Sequence, residues 1–433
     1  MGQPITATAR AAGGARLGLG IVTTICAFGG AVAIAHLIGA RGRDKIASAP
    51  ALAASRAAPP VQSARDIAKP APNDEARTAL GKRIFFDTSL SEPAGTSCAS
   101  CHDPAHGFAG NNGSKLGVAL GSRPGHFAAR NTPSVMYLKF ARRFHLHWEE
   151  DAPVVDAYGG FFWDGRVDEL ADVPKQPLMN PNEMNNASSA DILAKLQRSD
   201  YAGEFRHEFG ALDSADDAMQ SLGVALAAYL TSPELAPFSS KYDRYIQHRV
   251  DLSAEEARGL RLFKDSAKGG CAECHKLNDT IPSPERSLFT NYAFDSVGIP
   301  RNTKLPANGD ATHFDLGLCQ RPNPKFHSDS PEFCGSFRTP SLRNVALRES
   351  FMHNGVFSSL RDVVAFYASR STNPHRWYES AEFDDVPKQY REYVNVEQAP
   401  YNRHAGDAPA LDSSEIDAIV AFLGTLNDTS LRR

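Results

Sequence analysis

The sequence predicts an all-α protein in two similar halves, carried behind an apolar N-terminal segment. Three observations predict it. The motif Cys-x-x-Cys-His occurs twice, at Cys98-Ala-Ser-Cys101-His102 and Cys271-Ala-Glu-Cys274-His275, and divides most of the 433 residues into comparable parts. Apolar residues recur at helical spacing in several stretches. Strand signals are weak throughout.

Each motif is an attachment signature of c-type haem. Two thiols three positions apart each add to one vinyl group on the same porphyrin edge. The imidazole that follows turns under the iron. A Cys-x-x-Cys pair alone also suits zinc or redox exchange. The adjacent histidine in both copies, with no second pair close by to complete a four-ligand zinc site, favours two covalently bound haems c.

The helices follow from pattern. Met219, Leu222, Leu226 and Leu230 form a stripe within 215–231. Ser253 followed by Glu256 is a capping box, and Ala257, Leu260 and Phe263 share the face of the helix it opens. Ser414 and Asp417 open a C-terminal helix with Ile416, Ile419, Val420, Leu423 and Leu426 on one face. A break near Ile246–Asp251 separates the halves. Segments 103–162 and 276–350 are rich in Gly, Pro and Asn. They read as loops wrapped around a haem that supplies the missing apolar core.

Residues 17–40 are almost uncharged, a run long enough to span a bilayer. Arg10 and Arg16 precede it; Arg41, Arg43 and Lys45 follow, so flanking charge does not set an orientation. Segment 1–45 reads as a signal anchor or an export signal, and 46–72 as an Ala/Pro-rich tether. Small residues between Ala47 and Ala54 permit cleavage. Haem attachment of this type takes place outside the bacterial cytoplasm, which points to the periplasm, with anchoring to the inner membrane left open. In that oxidising space Cys319 and Cys334 either pair or remain two free thiols. The net charge of -4 gives no electrostatic case for nucleic acid.

Several stretches resemble one family in order and rough spacing over about 74–425. They are IFFDTSLSEPAGTSCASCHDPAHGFAG (84–110), RNTPS (130–134), FFWDGR (161–166), NPNEM (180–184), KYDRYI (241–246), GLRLF (259–263) and FRTPSLRNVALRESFMHNGVFSSLRDVVAFY (337–367). The chain is similar here to the bacterial dihaem cytochrome c peroxidase and MauG family. The resemblance implies two cytochrome c-like all-α domains, a peroxide-reacting one over 73–247 and an electron-transfer one over 248–433, with a calcium ion between them. His102 and His275 would be the proximal iron ligands.

The resemblance also assigns roles. The second iron's other ligand is Met in the peroxidase branch and Tyr in the MauG branch. It falls fourteen residues after His353, at Tyr367, and the chain has no Met beyond Met352. Leu360, Val363, Val364 and Tyr367 share one helix face. An anionic phenolate stabilises ferric and higher states, whereas Met raises the potential. Trp163 matches a tryptophan relay between the haems. Glu183 matches a distal glutamate that moves the peroxide proton. Pro177 matches a distal-pocket proline. The family's distal glutamine is Val173 here, with Gln176 nearby. His126 resembles the peroxidase branch's switchable distal histidine, or is an exposed loop imidazole. His145 and His147 are spare candidates for a distal or metal role. Asn131, with the backbone carbonyls of Arg348 and Ser350, would hold the calcium.

Together these imply an exported dihaem peroxidase with His/Tyr ligation at the second haem. It would reduce hydrogen peroxide with electrons from a small cytochrome c or a cupredoxin. Two alternatives stay open: a MauG-like oxidase acting on side chains of a partner protein, and a non-enzymatic dihaem electron carrier.

Overall fold

A computed structural model describes residues 74–148, 155–322, 330–379 and 381–432. The expected signal or anchor (1–45) and tether (46–72) lie outside the described residues. Among those described, no helix is long and apolar enough to cross a membrane.

The first part of the chain carries α1 (Asp74–Phe86), α2 (Cys98–Cys101), α3 (Lys175–Met179), α4 (Ser189–Arg198), α5 (Ala202–Phe209), α6 (Ala215–Leu230) and α7 (Lys241–Ile246). The second carries α8 (Ala254–Lys264), α9 (Leu360–Ser369) and α10 (Ser413–Gly424). Capping sets the starts. Ser253 Oγ accepts from Glu256 N at 3.2 Å, while Glu256 Oε2 accepts from Ser253 N at 2.7 Å. α10 begins at Ser413, and its cap lies two residues earlier than the sequence suggests. The cap is Asp412, whose Oδ1 accepts from Glu415 N at 2.9 Å.

The two parts repeat one frame. Helices α1 and α6 cross in the first part, α8 and α10 in the second, and each crossing is made at a glycine. A Cβ on Gly81 would lie 1.9 Å from the carbonyl oxygen of Ala225, and one on Gly259 would lie 1.9 Å from that of Ala418. Equivalent aromatic rings pack beside each crossing. Phe85 meets Tyr229 at 5.4 Å and Phe108 at 6.0 Å; Phe263 meets Phe422 at 5.3 Å and Phe289 at 6.1 Å. One core gathers Leu80, Ile84, Leu222 and Leu226 around the first set. A second gathers Leu260, Ile419, Leu423 and Leu426 around the other.

Strands are few and short. β1 (His145–Trp148) and β2 (Val155–Tyr158) form an antiparallel hairpin with His145 opposite Tyr158. β3 (Phe294–Asp295) pairs antiparallel with β4 (Phe337–Arg338). The hairpin corrects the expectation of loop throughout 103–162. His145 stacks on Tyr158 at 5.6 Å, a cross-strand contact that stabilises the pairing. Cys319 and Cys334, both buried, are joined as a disulfide with a Cα–Cα separation of 4.9 Å.

Buried polar contacts hold the halves together. Asp428 Oδ2 accepts from Tyr137 Oη at 2.6 Å and from Asn344 Nδ2 at 2.8 Å. Arg343 pairs with Asp243 at 2.9 Å, both fully enclosed.

Alanine in an exposed helix interior is ordinarily stabilising relative to glycine. At Gly259 the sign reverses, because the obstructing atom is a backbone oxygen that moves only if a helix moves. Gly259→Ala is expected to destabilise the protein by about 1–3 kcal/mol, read as a lower melting temperature of the haem-loaded protein.

Candidate active site

The two Cys-x-x-Cys-His motifs are held alike. His102 Nδ1 lies 3.2 Å from the carbonyl oxygen of Phe108, and His275 Nδ1 lies 2.9 Å from that of Phe289. Each carbonyl belongs to a residue in the left-handed region, Phe108 at φ 56° and Phe289 at φ 54°. Donation from Nδ1 fixes the ring and leaves Nε2 with the lone pair a metal takes. Burial lowers the pKa of both imidazoles to about 4, so both are neutral at physiological pH.

The thiols are equally telling. Burial raises Cys98, Cys101 and Cys271 to about 12 and Cys274 to about 11. Redox-active pairs and zinc sites favour thiolate. These four cysteines are neutral, half-buried and unpaired with one another. The set fits thioether attachment beside an imidazole ligand.

A cavity of about 240 Å³ opens beside the second motif. Cys271, Cys274 and His275 form one wall. Leu360, Val363, Val364 and Tyr367 of α9 also line it, with Ile419 and Leu423 of α10. The stripe seen in the sequence thus faces the cavity. An apolar space with two thiols and an imidazole on one wall and a phenol among its lining residues fits a haem. Burial pushes the Tyr367 phenol up, Cys274 and Asp295 add to this, and Arg370 opposes it. An anionic phenolate here therefore needs a cation in the cavity.

Sequence reasoning missed other lining residues. Tyr401 sits 6.0 Å from Tyr367, ring to ring, with the Arg370 guanidinium 3.9 Å from its centroid. Met136, Met352 and His353 also line the cavity. His353 stacks on Phe337 at 3.5 Å, and its Nε2 has no hydrogen-bond partner. The loops that deliver these residues show no periodicity, and only the FMHNG landmark pointed toward two of them.

Trp163 also lines this cavity and is buried. Its indole N–H donates to the carbonyl oxygen of Asn131 at 2.7 Å. Asn131 in turn donates through its backbone N to His353 O at 2.7 Å. Trp163 is therefore fastened at the seam between the halves.

Glu183 occupies the turn after α3. Asn180 Nδ2 donates to its Oε1 at 2.8 Å. Burial raises its pKa, with Arg166 and the Asn180 hydrogen bond opposing. Its charge also acts on the Cys101 thiol, which places the carboxyl by the first motif. Pro177 lies within α3 and accepts from Met184 N at 3.1 Å. Gln176 is exposed and Val173 is half-buried.

His126 rides a half-buried loop against this turn. Its Nδ1 lies 3.0 Å from Asn182 Oδ1 and 3.2 Å from an Arg123 guanidinium nitrogen. Ser122 N donates to Glu183 O at 2.7 Å, so loop and carboxylate turn move together. His145 and His147 stand apart on β1. They line a second, more open depression with Phe140, Tyr158 and Asn291.

The calcium candidates do meet. Asn131 Nδ2 lies 3.1 Å from Ser350 O, and Arg348 Nε lies 3.2 Å from the same oxygen. What surrounds them is a guanidinium and amides, not carboxylates. Among the described residues no group of three or more His, Cys, Asp or Glu is placed to hold a metal.

Known proteins are similar to this chain over most of its length. The family model described as "Di-haem cytochrome c peroxidase" matches residues 75–251. The methylamine utilization protein MauG of Paracoccus denitrificans (strain Pd 1222) is 36% identical over 379 residues, covering 85% of this chain and 92% of that protein. The crystal structure of the diheme peroxidase BthA from Burkholderia thailandensis E264 is 47% identical with a TM-score of 0.77, over 83% of this chain and 87% of that one. A tyrosine-to-methionine variant of the same enzyme gives 48% and 0.78, over 82% and 86%. With two matched haem-attachment motifs and this likeness over most of its length, the chain belongs to the dihaem cytochrome c peroxidase and MauG family of oxidoreductases.

Proposed function

We propose that this protein reduces hydrogen peroxide at the His102 site, in the balance H2O2 + 2 e⁻ + 2 H⁺ → 2 H2O, and that the Tyr367 site handles the electrons. The two haems, when bound, supply the redox chemistry. The observation that carries this reading is the half-buried carboxyl of Glu183 beside the first motif, with its proton affinity raised.

The chain's own groups divide the work. Asn180 occupies Glu183 Oε1, which leaves Oε2 to take the proton from the inner peroxide oxygen and return it to the departing one. A carboxylate of raised proton affinity is a stronger base than an exposed one, so it takes the peroxide proton more readily. Pro177 keeps the approach apolar. His126, tied to Asn182, borders the same turn, and we assign it a place at the rim of the pocket. Trp163, fixed by Asn131, is the group through which the two sites exchange electrons or holes. Electrons come from a small redox protein such as a cytochrome c or a cupredoxin. A periplasmic location accords with the attachment chemistry.

A second reading has an observation of its own. Tyr367 lies in the cavity with the second motif, and a phenolate ligand there favours storage of oxidising equivalents over storage of an electron. That suits oxidation of side chains on a partner protein. Peroxide turnover with a reduced cytochrome c and no protein substrate separates the two readings. The carrier alternative fails if the resting protein shows a high-spin ferric signal and consumes peroxide.

Glu183→Gln is expected to lower kcat/KM for peroxide by about 10²–10⁴-fold with both haems bound. Full turnover in that variant would remove Glu183 from the mechanism. Glu183 must be ionised to act as base, so activity falls as pH drops through its pKa. Because that pKa is raised, the acid limb of the pH profile is expected above the ordinary 4.5, and to vanish in Glu183→Gln. Tyr367→Met is expected to raise the reduction potential of the second haem, measured by spectroelectrochemical titration.

A further inference from the structure

The family resemblance leads to a calcium ion between the halves, on Asn131 and the carbonyls of Arg348 and Ser350. The side chains present do not fit it. Asn131 turns its amide nitrogen, not its oxygen, toward the carbonyls. Nδ2 donates to Ser350 O at 3.1 Å and to Met352 O at 3.0 Å. The amide oxygen is engaged by Ser350 Oγ at 3.0 Å, and that hydroxyl also lies 2.9 Å from Asn111 Oδ1. The Arg348 guanidinium reaches into the same place, donating from Nε to Ser350 O at 3.2 Å and from a terminal nitrogen to Thr132 O at 2.9 Å.

Charge decides the matter. A hard divalent ion wants several oxygen ligands, whether carboxylates, carbonyls or waters, and no cation beside it. This site offers neutral amides, carbonyls and a hydroxyl, and already contains a cation. Among the described residues no carboxylate is within ion-pair distance of Arg348. Burial lowers its pKa to about 10, which leaves it charged at neutral pH. Calcium placed here would meet a guanidinium at close range in a low-dielectric seam, with no anion to offset the repulsion.

We propose that in this chain the Arg348 guanidinium stands in for the inter-half cation: it ties Ser350 of the second part to Thr132 of the first, and the protein needs no calcium. The tie reaches the electron path by a short route. Thr132 adjoins Asn131, and Asn131 O holds the Trp163 indole. A planar donor fork serves this better than an ion. It binds two carbonyl groups in fixed directions and cannot be removed by dilution. The inference is independent of Glu183 and of the peroxide reading, since it concerns only what joins the halves.

The test uses the full-length protein with both haems attached. Calcium content is measured by elemental analysis, and melting is followed at a haem absorption band with and without EGTA or added calcium. The expected result is well under one calcium per chain and a melting temperature that neither addition moves. Arg348→Gln is expected to melt about 5 °C lower, and Arg348→Lys, which keeps the charge but loses the fork, to fall between that variant and wild type. One calcium per chain in untreated protein, a melting temperature lowered by EGTA, or an Arg348→Gln variant that melts as wild type would each overturn the proposal. Should Arg348→Gln fail to fold, calcium content and chelator response of the wild type decide alone.

Discussion

The hydrogen-bond set of Asn131 is the constraint on which the site depends. The residue is 1% exposed. Its backbone nitrogen donates to His353 O, and its backbone oxygen accepts from Trp163. Its amide donates to Ser350 O and Met352 O and accepts from Ser350 Oγ. Each donor and acceptor it owns is thereby matched across the seam between the halves. Orphaning one buried polar group costs about 1–3 kcal/mol, so the halves cannot slide without breaking several such bonds together. Because the Trp163 indole hangs on this residue, its placement in the cavity is stabilised by the contacts that hold the two parts in register.

The attachment sites work through neutrality. Both imidazoles lose proton affinity on burial, and all four thiols gain it. One physical cause, removal from water, sets six groups to their uncharged forms. Neutral imidazole is the form that ligates iron. Charged groups stand around both sites: Glu183 by the first motif, Asp295, Arg338, Arg343 and Arg348 on the cavity of the second, and Arg370 by its two tyrosines.

Much of this was legible in the sequence, and the reason is local chemistry. Cys-x-x-Cys-His names four thiols and two ligands outright. Helical periodicity located α6, α8 and α10, and the spacing from His353 led to Tyr367. What stayed hidden was built by residues distant along the chain. Tyr401 and Met136 reach the cavity on irregular segments. The His145–Tyr158 hairpin is closed by a stacking pair that no alternation of apolar residues announces. The family resemblance points to Arg348 only through its backbone carbonyl. The side chain matters more, because its partners Thr132 and Ser350 come together only in the folded protein.

The repeated frame has a further implication. The turn at 161–167 is closed by a bridge between Phe161 and Val167, and the turn at 351–357 by one between Phe351 and Phe357. Positive φ recurs at Phe162 and Gly165 in one and at Met352 and Gly355 in the other. Trp163 and His353 therefore occupy the same station in two copies of a single scaffold. At this station the two parts differ in the side chains laid over one turn, not in the turn itself. What separates them there can be retuned residue by residue without any change of that scaffold.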